Sequence, residues 1–175
     1  MTQHPLQVHT ANRGDLDAIF RIYDHFVKTS HVTFDTQPYD RSRRESWFAQ
    51  FAAVGRHRLL VARCGDAVIG YASSKPFRPK PAYQTSVETT VYVAPDHPRR
   101  GAGMALMTAL LEQVAAAGAH RAYAGIALPN PASIRLHEKL GFRLVGTLQE
   151  VGYKLDQFWD VSWYEMPLSG RAGRD

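Results

Sequence analysis

One cysteine in 175 residues removes two classes of protein at once. Cys64 has no second thiol for an internal disulfide and cannot by itself build a zinc site, so a disulfide scaffold and a cysteine metal centre are both excluded. It sits in LLVARC, where a small core residue is the expected role, and neither a nucleophile nor a metal is assigned. No apolar run approaches the roughly 20 residues that a membrane-spanning helix needs, which excludes a spanning segment of that kind. The opening MTQHPLQ lacks the basic-then-apolar order of a secretory leader, and a cytoplasmic protein with no membrane partner is the expectation. The basic residues form no long tract interleaved with aromatics, and no finger or helix-turn-helix spacing occurs, so nucleic acid is not an expected partner.

What is present is ordinary for a globular protein: 45% hydrophobic and 21% charged residues, with no internal repeat or linker to divide the chain. A length of 175 residues suits one domain with a substantial core, spanning 1–175, with the polar SGRAGRD at 169–175 as a loose tail. The net charge of +5 and pI near 9.5 favour an anionic partner, and a phosphorylated cofactor is one such partner.

Residues 12–27 place Leu16, Ile19, Phe20, Tyr23 and Val27 at helical spacing behind Asn12, which can cap the free amides at the start. Asp40 can cap a second helix carrying Trp47, Phe48 and Phe51. The period then changes, and RLLVARC and AVIGYASS on either side of Gly65 and Asp66 predict a β-hairpin. Lys75 to Pro81 holds three prolines and three basic residues, which predicts an irregular exposed basic loop. SVETTVYV is dominated by β-branched side chains and predicts a central strand over 86–93, with Glu88, Thr90 and Tyr92 on one face. A basic glycine turn leads into a helix on which Leu106, Leu110 and Val114 recur and which Gly118 can end. RAYAGIA, Asn130 with Pro131, and Gly141 repeat the strand, cap and stop, and RLVGTLQEVGY and FWDVSWYEMPL supply late strands. The fold class is therefore α/β, a mixed sheet flanked by helices.

The turn PRRGAG concentrates anion-binding chemistry. Gly101 and Gly103 let a backbone come close to an anion, the following helix offers unpaired amides at its positive end, and Arg99 and Arg100 add charge. The spacing is not that of a nucleotide-triphosphate loop, which needs Lys and then Ser or Thr, nor of the dinucleotide fingerprint, which needs a third glycine.

With VYVAPDHPRRGAG, an alanine-rich helix and ALPNPASIRLHEKLGF in this order, the chain resembles the GNAT superfamily of acyl-coenzyme A transferases. The resemblance covers about residues 6–168 and is nearest to the phosphinothricin N-acetyltransferase group, through KPFRPKPAYQTSVETTVYV, the LPN-to-LHE helix and VGYKLDQFWDV. It implies a single-domain GNAT fold whose central parallel strands splay to admit acetyl-CoA as co-substrate. It also implies that Val91, Tyr92 and Val93 bind the pantetheine arm through their backbone, one amide polarising the thioester oxygen. Arg99, Arg100, Gly101, Ala102, Gly103 and Met104 are then the pyrophosphate loop, and Asn130 and Ser133 reach the cofactor from the next helix, Asn130 also being a natural N-cap. The family's leading Arg or Gln falls here on Pro98, which offers neither an amide hydrogen nor a polar side chain; Arg99 and Arg100 can offset the lost contact.

Glu88 takes the family's general-base position, because an amine must lose its proton before it attacks a thioester. His137 stands where many members carry a tyrosine that protonates the departing thiolate, and imidazole can donate a proton near neutral pH. Arg78 and Lys80 match basic positions that would hold a carboxylate or phosphinate, while Phe34 and Tyr83 match aromatic positions that would close the pocket. The resemblance implies direct attack in a ternary complex on an amino-acid-like amine such as phosphinothricin, methionine sulfoximine or methionine sulfone, in a homodimer. Two alternatives stand beside it: acetylation of protein or peptide amines, and a non-catalytic sensor that binds acyl-coenzyme A.

Overall fold

The computed structural model describes residues 5–97 and 101–168. Seven strands form one sheet in the order β1-β2-β3-β4-β5-β7-β6. They are β1 (Leu6–Thr10), β2 (Leu59–Cys64), β3 (Ala67–Pro76), β4 (Ser86–Val93), β5 (Arg121–Ala127), β6 (Arg143–Lys154) and β7 (Gln157–Pro167). All neighbours are antiparallel except β4 and β5, which confirms the expected mixed α/β sheet.

Four helices cover the faces: α1 (Leu16–Thr29), α2 (Arg41–Phe48), α3 (Ala102–Ala116) and α4 (Pro131–Leu140). Asn12 caps as expected, but its capping box with Asp15 closes a short 3-10 turn over Arg13–Asp15 before α1 begins. The Asp40 carboxylate accepts from the Arg43 amide at 2.8 Å and starts α2, which ends before Phe51. Gly118 and Gly141 follow α3 and α4 at φ of +80° and +97°, a left-handed conformation that glycine adopts without a Cβ clash.

Each face has its own core. α3 and the end of α4 bury Leu106, Leu110, Val114 and Leu140 against Leu60, Ala72, Val87 and Ala122. On the opposite face α1 and α2 bury Ile19, Phe20 and Trp47 against Leu59, Val61 and Tyr71. Because side chains alternate along a strand, Val91 and Val93 pack in the first core while Tyr92 packs in the second.

One expectation needs correction, and one strand was missed. The segment from Lys75 is not irregular throughout: Lys75 and Pro76 continue β3, opposite Glu88 and Val87. Proline is tolerated there because the Ser74 amide, one step of the pleat away, is the last to reach the β2 side, donating to Arg58 at 2.9 Å; the missing Pro76 hydrogen falls beyond the end of β2. The first strand, β1, was not expected: its alternation of Leu6 and Val8 with Gln7 and His9 is only five residues long, too short to stand out.

Candidate acetyl-transfer site

β4 and β5 pair over three positions only: Ser86 with Arg121, Val87 with Ala122, and Glu88 with Tyr123. Beyond Glu88 the strands diverge, since β4 stays in register with β3 up to Val93 and β5 with β7 up to Ala127. The Thr89 hydroxyl donates to the Tyr123 carbonyl at 3.1 Å and closes the apex of the fork. The cleft so opened has a volume of about 650 Å³. It reaches from Glu88 along Thr90, Val91 and Val93 to Gly103, which gives β4 about 17 Å of strand edge along it.

The backbone along this edge lacks a strand partner on the β5 side, and unpaired buried amides and carbonyls need one. At the far end, α3 starts at Gly101, whose φ is +93°, and no side chain among the described residues caps its first turn. The amides of Ala102, Gly103 and Met104 are thus free of helical partners, as at any helix start. A Cβ on Gly103 would come within 3.3 Å of Leu136, so glycine keeps this approach open. Arg99 and Arg100, expected to complete the loop, and Pro98 lie outside the described residues. A ligand with an amide-bearing arm and a diphosphate matches both rows of unsatisfied groups.

Glu88 and His137 approach the cleft from opposite sides of the sheet. The Glu88 side chain shares a face with Thr90 and Tyr92, towards α1 and α2. Burial pushes its carboxyl above the usual range, and the Arg78 guanidinium, followed by the Lys75 ammonium, opposes that rise. His137 is buried on α4, its ring edge-on to Phe142 at 5.0 Å. Its Nδ1 lies 2.8 Å from the Ser133 carbonyl, an arrangement that assigns the hydrogen to Nδ1, and Nε2 is buried with no hydrogen-bond partner among the described residues. Burial lowers the imidazole pKa, with the Ser133 contact acting the other way, so the neutral ring presents an acceptor lone pair at Nε2.

Asn130 and Ser133 both line the cleft, and the Asn130 side chain also accepts from the Ser133 amide at 3.1 Å, capping α4. Phe34 lines it from the α1–α2 loop. The loop is held by Lys154, whose ammonium donates to the Thr33 carbonyl at 2.8 Å, and by His31, stacked on Trp159 at 4.0 Å. Gly152 lies directly beneath the Phe34 ring, where a Cβ would approach within 2.2 Å. Arg78 rests over the rings of Phe77 at 4.4 Å and Trp163 at 5.7 Å, and Trp163 lines the cleft. Lys80 and Tyr83 are exposed beside this loop and do not line the cleft; Tyr83 packs edge-on against Phe77 at 6.1 Å. Trp163, Leu136 and Val151 line the cleft without having been singled out in the sequence, because strands and a helix distant in sequence bring them there.

The sheet forks after Glu88, and a glycine-led helix start lies beyond it. The chain belongs to the acetyltransferase (GNAT) family, whose profile matches residues 19–142, and its acyl donor is acetyl-CoA. It is 48% identical to the phosphinothricin N-acetyltransferase of Streptomyces coelicolor, over 93% of this chain and 96% of that protein. It is 34% identical to an L-methionine sulfoximine/L-methionine sulfone acetyltransferase of Pseudomonas aeruginosa, over 92% and 94%. Among solved structures, a putative acetyltransferase of Salmonella typhimurium with its cofactor acetyl-CoA has a TM-score of 0.87 at 30% identity, covering 97% of this chain and 98% of its own. A phosphinothricin acetyltransferase from Sinorhizobium meliloti in complex with AcCoA has the same TM-score at 30% identity, covering 93% and 88%.

The electrostatics of Glu88 are open to direct measurement. Carboxyl-carbon NMR should place its titration midpoint above that of an exposed glutamate, and Arg78→Ala should move it higher, because that guanidinium is the largest charge opposing the effect of burial. A midpoint at or below the ordinary value, or a downward move in the variant, contradicts this reading.

Proposed function

We propose that the chain transfers the acetyl group of acetyl-CoA to the free α-amine of a short polar amino acid of the phosphinothricin, methionine sulfoximine or methionine sulfone kind. The carrying observation is the position of Glu88 at the point where β4 and β5 part. A thioester lying along β4 and an amine entering beneath the α1–α2 loop meet there, with Glu88 on the amine side. The names of the relatives support the substrate class, and Arg78, exposed beside the cleft over the Trp163 ring that lines it, supplies a guanidinium suited to bidentate capture of the α-carboxylate. Lys80 and Tyr83 extend the same loop towards arriving substrate, and Phe34 covers the bound amino acid where it enters the cleft.

The proton ledger balances with the two titratable groups on opposite faces. The substrate ammonium gives its first proton to the Glu88 carboxylate, and the amine attacks the acetyl carbon. β4 amides, from among Val91, Tyr92 and Val93, stabilise the oxyanion, while Arg99, Arg100 and the start of α3 hold the pyrophosphate. The second amine proton passes to His137 at Nε2 as the carbon–sulfur bond breaks, and from there to the departing thiolate, giving acetyl amide and free thiol. His137 thus acts as an acid only after acting as an acceptor, which its lowered pKa favours at the start of the cycle.

We further propose a homodimer formed along β6. Its residues Leu144, Val145, Leu148 and Val151 are all about half exposed or more in the single chain, and an edge strand with such a surface invites pairing. A single-cysteine chain that uses acetyl-CoA suits the cytoplasm.

Thiol release over a panel of amines tests the activity. The expected outcome is turnover of short polar α-amino acids, with kcat/KM for Glu88→Gln lower by about 100-fold or more and its acid limb lost. Equal rates in wild type and variant remove Glu88 as base, acetylation of peptides alone removes the small-molecule reading, and acetyl-CoA binding without thiol release with any amine leaves only a sensor. Sedimentation velocity tests the dimer: twice the chain mass is expected, and Leu148→Lys should reduce it to the chain mass. A wild type that sediments as a single chain contradicts the dimer.

A further inference from the structure

A second cavity, of about 110 Å³, lies under α1 and α2. Rings of Tyr39, Trp47 and Tyr71 wall it, Lys75 stands in it, and Thr90 and Tyr92 line both this chamber and the main cleft. Lys75 and Glu88 are direct cross-strand partners. Such Cα atoms lie about 5.5 Å apart and their side chains leave the sheet on one face. The Lys75 ammonium lies 5.5 Å from the centre of the Trp47 ring and 6.0 Å from that of Phe51. It has no hydrogen-bond or ion-pair partner among the described residues, although most half-buried cations have one.

The charge balance around the chamber isolates this cation. Under the helices Asp24 pairs with Arg44 at 2.7 Å and Asp35 with Arg43 at 3.2 Å. Asp35 also accepts from the Tyr23 hydroxyl. Both arginines lie over wall residues, Arg43 over the Tyr39 ring at 3.7 Å and Arg44 over the Phe20 ring at 4.8 Å. Each carboxylate there has its own guanidinium, which leaves Lys75 as the surplus positive charge. Its natural counter-charge is Glu88, but a substrate ammonium arriving at Glu88 takes up that carboxylate. An anion is then the complementary partner for Lys75, and the aromatic rings beside the ammonium reduce the screening of that charge relative to open water.

We propose that this side chamber is the subsite for the acidic end of the acceptor's side chain, a carboxylate or phosphinate. Lys75 is its specificity-determining contact, and the α-amine lies at Glu88. One short amino acid then spans the site with its amine at the fork, its α-carboxylate towards Arg78 and its side-chain oxyacid under α1 and α2. Burial lowers the proton affinity of Lys75 while Glu88 and Asp35 raise it, and a bound anion acts in the same direction as those two. The proposal rests on the small-amine reading given above, and its test separates the two.

The experiment compares KM and kcat of wild type and Lys75→Met for phosphinothricin and L-glutamate against L-methionine sulfone and L-norleucine. Loss of one charge-assisted contact should raise KM for the acidic pair by about 10-fold or more, with kcat little changed. The neutral pair should change by less than about 3-fold. An equal change across both pairs, or none, overturns the proposal. If Lys75→Met loses both pairs through poor folding, Lys75→Arg decides: activity retained on the acidic pair relative to the neutral pair supports the subsite, and no such preference overturns it. A wild type that acetylates none of the four amino acids refutes the small-amine function itself, an outcome distinct from either.

Discussion

The parting of β4 from β5 after three residue pairs is the constraint on which the site depends. Two half-sheets, β1 to β4 and β5 with β7 and β6, are each continuously hydrogen-bonded, and they are joined at a short parallel seam. Backbone groups left unpaired inside a protein are costly, so a fold that keeps them must find them a partner on binding. An extended arm carrying amides repairs the ladder as an added strand would. On the proposed reading, the α3 start at Gly101 would receive the arm's phosphate end. The same separation that destabilises the empty sheet is what the proposed function uses to seat the donor with its acetyl end towards Glu88.

Pleating adds the second consequence. Adjacent side chains of a strand leave opposite faces, so a cleft through the sheet admits two reactants from two sides and keeps their proton acceptors apart. Glu88 belongs to the face under α1 and α2, and His137 to the face under α3 and α4. The first is a carboxyl whose proton affinity is raised by burial and restrained by Arg78 and Lys75. The second is an imidazole kept neutral by burial and oriented by the Ser133 carbonyl. Opposite shifts in two groups suit them to successive proton transfers, and neither requires a change in the backbone.

Much of this was legible from the chain alone. β-branched residues marked β4, and Asn12, Asp40, Asn130 and the terminating glycines marked the helix ends, because caps are local chemistry. The fork itself was implied only by family resemblance, since no residue pattern states where a parallel pair stops. The path of the α1–α2 loop was not legible either: it depends on Lys154, His31 and Gly152, whose partners lie about 120 residues or more away in the chain. The prolines of 76–81 predicted irregularity, yet Lys75 and Pro76 remain in β3 because β2 ends first. The register that sets Lys75 against Glu88 is a tertiary fact of that kind. A bulge in β6, where Glu150 takes φ of +50° and its amide is satisfied by Asp160 at 2.8 Å, likewise brings Val151 to the cleft without a sequence signal.

The most direct test is a crystal structure of the chain with acetyl-CoA bound. The expected density places the pantetheine arm along Val91 to Val93 between β4 and β5, the diphosphate at the amides of 101–104, and the acetyl carbon at the fork near Glu88. Coenzyme seated elsewhere, or β4 and β5 zipped together beyond Glu88 in its presence, would contradict the account.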